Sequence, residues 1–146
     1  MKQIILSLAI ALSSIAATAT ETTVANNDVN QAFNKQFGHA SEVKWSRSES
    51  YFKAEFVYNL QHLTAFYESD GTMIGVARNI SSFDLPLNLQ MSLRKEYSNR
   101  WITELVEMNT EAGTEYYVTM TNADTKLTLK ANTATGWSSY KKTVKL

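Results

Sequence analysis

Cysteine is absent from the 146 residues, proline occurs once, glycine five times and histidine twice. Without a thiol there is no disulfide, no thiolate metal site and no cysteine nucleophile, and stability must come from burial alone. The absence also removes the residue that would be acylated in an exported lipoprotein. Five separate glycines make no phosphate-cradling loop, and no nucleophile elbow is present. His39 and His62 have no Cys, His or acidic neighbour at ligand spacing, so neither a zinc site nor a nucleophile–base pair is expected. An excess of one charge is missing too, with 14 Lys and Arg against 14 Asp and Glu. If Lys2 is removed with the N-terminal segment, 13 face 14, a net of about −1. That balance argues against nucleic acid or an anionic membrane as partner. "YKKTVK", 140–145, reads as a solvated strand end.

What is present begins with an address. Lys2 precedes the uncharged run "IILSLAIALSSIAATA", which ends in the small-x-small triplet Ala17-Thr18-Ala19. This is the pattern of a secretory signal peptide over 1–19, cleaved near Ala19 and too short to anchor the chain in a bilayer. A periplasmic or secreted protein is expected, with no stable membrane anchor. Residues 20–27, "TETTVANN", read as a flexible leader. With 44% apolar residues the remainder can fill one core of ordinary domain size.

Asp28 is placed to cap a helix whose Val29, Ala32, Phe33 and Phe37 share one face, with Gly38 as its stop. "EVKW" and "YFKAEFVY" alternate as strands, Phe52, Ala54 and Phe56 falling on the opposite face from Tyr51, Lys53 and Glu55. "LTAFYESDGTMIG", 63–75, is a hairpin about Asp70-Gly71. A two-residue turn predicts Tyr67 opposite Ile74 and Ala65 opposite Val76, and a bulge would shift that register. The stretch lacks the alternating oxygen ligands of a calcium loop, so Asp70 reads as turn chemistry. After "SSFDLP", Leu89, Leu93 and Tyr97 repeat the helical spacing, and "WITELVEM", "EYYVTM", "KLTLKA" and "SSYKKTV" supply four more strands. The expected architecture is α+β: two repeats, 28–80 and 86–146, each one helix and four antiparallel strands, with both helices on one face of a shared curved sheet. Trp45 and Trp101 are assigned to the core.

"AFNKQFGHASEVKW", "YFKAEF" and "LTAFYESDGTMIG", with their partial second copy, resemble the bacterial PepSY-like proteins similar to the β-lactamase inhibitor protein. The resemblance spans about 28–146. It implies a tandem helix-plus-sheet fold in a secreted or periplasmic protein, without catalysis, acting as a protein-binding or inhibitory module. The inhibitor's domains are stapled by disulfides, which a chain without cysteine cannot form.

The candidate binding surface is the sheet face turned away from the helices. Alternation assigns Tyr51, Lys53, Glu55, Phe66, Tyr117 and Trp137 to it, a mixture of aromatic and charged side chains suited to recognising another exported protein. The alternative is an envelope small-molecule or lipid carrier, which requires a cavity between helices and sheet that the bulky phenylalanines argue against. An enzyme is the weakest reading, since the acidic pairs Glu49/Glu55 and Glu104/Glu107 have nothing converging on them. No cofactor or metal is expected. Lys141, Lys142 and Lys145 would discourage pairing at the last strand's edge.

Overall fold

The structure is a computed structural model and describes residues 24–145. The signal-peptide assignment lies outside the described residues. Helix α1 spans Asn27–Phe37 and is followed by strands β1 (Ser41–Arg47), β2 (Phe52–Tyr58), β3 (Gln61–Tyr67) and β4 (Met73–Asn79). A short 3-10 turn, Ser82–Asp84, leads to helix α2 (Leu87–Glu96) and to β5 (Trp101–Thr110), β6 (Gly113–Thr121), β7 (Thr125–Asn132) and β8 (Ser138–Val144). The eight strands form one antiparallel sheet in sequence order, β1 to β8. The fold is α+β, and both helices cover the same sheet face. That follows from the register, because Ala54, Ala65 and Val76 under α1 lie in successive cross-strand pairs, and Leu105 and Val118 under α2 share their side.

The order begins earlier than the leader assignment allows. Asn26, not Asp28, caps α1, its side chain accepting from the Val29 N–H at 2.9 Å. Ala25 is buried against the α1 core, and its carbonyl accepts from the Asn30 side chain. Gly38 does end the helix, but in right-handed helical geometry (φ −60°) rather than as a left-handed cap.

Under α1 an aromatic cluster fills the space between helix and sheet. Phe33 meets Phe56 edge to face with ring centroids 4.9 Å apart, and Phe37 lies 4.8 Å from Phe56. Trp45 packs against the same cluster, as expected. The second core gathers Leu85, Leu89 and Leu93 over Leu105, Val118, Met120 and Leu129. Between the two cores Arg78 and Glu107 pair at 2.9 Å across the β4–β5 seam.

The turns divide differently from expectation. The two-residue hairpin is Asn59-Leu60, where both residues take positive φ (49° and 63°) and Tyr58 pairs with Gln61. At Asp70-Gly71 the connection is longer. Ala65 does face Val76, but a bulge after Phe66 puts Tyr67 opposite Met73 instead of Ile74. The Thr72 N–H bonds to the Asp70 carboxylate at 2.8 Å, which closes the loop and holds that carboxyl below its usual range. Gly71 (φ 88°) lies so close to α1 that a Cβ there would sit 2.8 Å from the Asp28 carbonyl oxygen. The Asn26 side-chain amide donates to the Ser69 carbonyl at 2.7 Å, tying loop to helix.

Trp101 is not in the core. It is 60% exposed because a bulge between Ile102 and Glu104 inverts the alternation, so Trp101 faces away from Leu105 and the α2 cluster.

Candidate functional site

The face away from the helices carries its own apolar cluster. Phe66, Ala77, Val106, Met108 and Tyr117 are buried there, with Tyr51 and Ile74 packed against them. Gly75 permits this closeness, since a Cβ at that position would come within 2.7 Å of the Met108 methyl and the Asn109 carbonyl oxygen. Phe66 and Tyr117 are therefore on the expected face but only 3% exposed each. Alternation specifies the side of a strand, whereas curvature across β3 to β6 decides what that side touches.

Beside this cluster lies a trough of about 440 Å³ whose lining includes Tyr51, Lys53, Glu55, His62, Thr64 and Glu104. Tyr51 stands edge-on to Phe66, with ring centroids 5.5 Å apart, and forms the boundary between apolar cluster and polar wall. Lys53 and Glu55 pair loosely at 3.4 Å. Burial raises the Glu104 carboxyl above its ordinary pKa, with Lys126 pulling the other way. Glu107, its supposed partner in an acidic pair, is on the opposite sheet face with Arg78. The two carboxylates cannot act on one substrate.

Tyr117 belongs to a second polar arrangement further along the face. Its hydroxyl donates to Glu115 at 2.9 Å, while Lys130 pairs with Glu115 at 2.8 Å and lies over the Tyr117 ring. Desolvation first, and then the Glu115 hydrogen bond, push the Tyr117 hydroxyl up to about 12. The structure thus brings Tyr51, Lys53, Glu55 and Phe66 together and sets Tyr117 apart from the trough wall.

Trp137 is a correction. It packs on the α2 core, and its indole N–H donates to the Leu89 carbonyl at 2.9 Å. Trp137 lies in the turn after Gly136 (φ 67°) and before β8, so strand alternation does not govern its direction. His62 and Glu104, which the sequence reading left off this face, belong to the trough. For His62 the signal was available, because it alternates in register with Thr64 and Phe66. For Glu104 the bulge at Ile102/Glu104 hid it.

Among the described residues no group of three or more His, Cys, Asp or Glu could hold a metal ion, and no helix is long and apolar enough to cross a membrane. No protein-family model and no curated protein matches the sequence. Solved structures do match. A BLIP-like protein from Bacteroides fragilis is 17% identical with a TM-score of 0.68, covering 84% of this chain and 87% of its own. A candidate periplasmic protein from Bacteroides eggerthii is 13% identical with a TM-score of 0.74, covering 84% and 90%. A DUF2874 family protein from Bacteroides uniformis is 20% identical with a TM-score of 0.72, covering 83% and 90%. Over 83–84% of its length, the chain has the fold shared by these BLIP-like and DUF2874 structures.

Proposed function

We propose that this chain is an exported, non-catalytic protein-binding module, inhibitor-like in manner, that receives part of another exported protein in the trough of its open sheet face. The observation that carries the reading is the trough itself. An aromatic edge at Tyr51 adjoins charged and hydroxyl side chains on a sheet whose opposite face carries the two helix-covered cores. Tyr offers large contact area with few rotors to freeze, and a polar rim around an apolar centre is the usual anatomy of a recognition patch. The BLIP-like fold neighbour and the candidate periplasmic neighbour support an exported module of this kind. The same reading takes the two helix-plus-four-strand segments as copies of one duplicated unit, which a residue-by-residue superposition of 28–80 on 86–146 tests.

The contact residues are Tyr51, Lys53 and Glu55, joined by His62, Thr64 and Glu104. Phe66 supports the floor without itself being open to a partner. The carrier alternative loses its expected cavity, since rings 4.8 to 4.9 Å apart occupy the space beneath α1.

The test compares the exported wild-type protein with a Tyr51→Ala/Glu55→Lys variant as baits for an envelope protein fraction. A stoichiometric partner held by the wild type and lost by an equally stable variant is the expected result. Identical capture by both baits refutes the trough as the binding site. A small molecule or lipid retained by the purified protein in native mass spectrometry would favour the carrier instead.

A further inference from the structure

The near-zero net charge conceals a segregation along the chain. Residues 121–145 carry five lysines and one acid, Asp124, a net of +4; the rest of the chain has nine basic residues against thirteen acidic, a net of −4. The five are on the last hairpin. Lys130 is committed to Glu115 and the Lys145 ammonium donates to the Asn122 carbonyl at 2.7 Å. The side chains of Lys141 and Lys142 make no hydrogen bond or ion pair with the described residues, and the exposed Lys126 side chain has only a Coulombic link to Glu104.

The cross-strand register brings Lys126, Lys141, Lys142 and Lys145 into the half of the hairpin at one end of the sheet, together with exposed apolar side chains, and leaves Lys130 toward the other end. Trp101 at the start of β5 pairs with Thr121, Thr121 with Lys126, and Thr125 with Val144 at the end of β8. Trp101 is 60% exposed, Ile102 41% and Val144 65%. Arg100 joins the same rim, its guanidinium donating to the Thr125 hydroxyl at 2.8 Å and so tying the α2–β5 connection to the start of β7. Across the three strand spacings from β5 to β8 the rim is about 14 Å wide. Asp124 at the β6–β7 tip and Glu104 are the acids nearby.

We infer that this rim, Trp101, Ile102 and Val144 with Arg100, Lys126 and the Lys141–Lys142 pair, docks reversibly on an anionic bilayer surface. Two features together select that occupant. Basic side chains are drawn to acidic headgroups, whose potential decays within about one Debye length of roughly 8–10 Å, so a compact cluster at one end of the molecule gains most. Trp is suited to the headgroup boundary, with isolated aliphatic side chains inserting beside it. A soluble acidic polymer would use the lysines and leave Trp101, Ile102 and Val144 without purpose. A protein partner would call for a continuous apolar patch, whereas these three alternate between the two sheet faces. The inference does not depend on the trough, which stays open toward the other half of the sheet.

The experiment is co-flotation of the protein recovered after export with phosphatidylcholine vesicles, with and without phosphatidylglycerol, and with soluble heparin as competitor. Binding is expected only to the phosphatidylglycerol vesicles and to fall with added salt. Lys141→Gln and Lys142→Gln should each lower the partition coefficient about five-fold. Tryptophan emission should shift to the blue on binding, and Trp101→Phe should abolish that shift, because Trp45 and Trp137 are already half-buried. Equal binding to neutral vesicles, wild-type partition by the Lys141→Gln/Lys142→Gln double variant, or an unchanged emission shift in Trp101→Phe would overturn the inference. So would heparin binding without vesicle binding, which would assign the rim to a soluble polyanion.

Discussion

Replacing Gly71 by Ala tests how the β3–β4 loop and α1 depend on each other. Two costs add. At φ 88° a Cβ is strained by about 1–2 kcal/mol relative to glycine. It would also be driven to 2.8 Å from the Asp28 carbonyl oxygen and 3.1 Å from its carbon, in backbone of the first turn of α1 that cannot swing aside as a side chain can. Overpacking of that kind costs about 1–3 kcal/mol. Against these stands about 0.4–1 kcal/mol gained because alanine restricts the unfolded chain. The net expectation is a loss of about 1–5 kcal/mol, at about 4 °C in Tm for each kcal/mol in a domain of this size. Gly136→Ala is the internal control, with a similar left-handed φ of 67° and nothing within 4 Å of the added carbon. It should lose about 1.6 kcal/mol at most, from strain alone. Urea unfolding of the three proteins measures the difference. If Gly71→Ala is no worse than Gly136→Ala, the loop does not press on the helix and the reasoning fails.

Leu60, 97% exposed at φ 63° in the two-residue β2–β3 turn, should improve when changed to Gly, by on the order of 0.5–1 kcal/mol in the same urea assay; a loss would show that the turn is not strained. Phe66→Ala should cost about 3–5 kcal/mol because the side chain is buried in the cluster under the trough, and wild-type stability would mean the face away from the helices is not packed. Glu104→Gln should stabilise the protein at neutral pH. Its folded pKa is raised by burial, so the carboxyl binds its proton more readily folded than unfolded. The protonated form's advantage is whole below the unfolded pKa and disappears as pH rises through the folded value. The gain from Gln should therefore vanish in acid, and a stability profile with no difference between the proteins at neutral pH would contradict a desolvated Glu104.

Elements whose signal is local were legible in the sequence. The spacing of Val29, Phe33 and Phe37, and the alternation of Phe52, Ala54 and Phe56, placed α1 and the strand beneath it correctly, because side-chain periodicity is set by the backbone of the element itself. Misplacements came where one residue interrupts a period. The bulge at Ile102/Glu104 sent Trp101 outward and Glu104 into the trough, and the bulge after Phe66 moved Tyr67 from Ile74 to Met73. Asn59-Leu60 carries no glycine, so its residues mark a reversal without marking a two-residue turn, whereas Asp70-Gly71 has the composition of one.

By itself, then, the sequence determined the α+β class, the element order and which side of most strands meets the helices. These depend on period and turn propensity, both properties of neighbouring residues. Only the tertiary structure decided that Phe66 and Tyr117 are buried on the face without helices, that Trp137 hydrogen-bonds to α2, and that Trp101 at the start of β5 comes beside the lysines of the last hairpin. Those outcomes come from sheet curvature and from pairing between residues far apart in the chain, and a one-dimensional pattern does not encode either of them residue by residue.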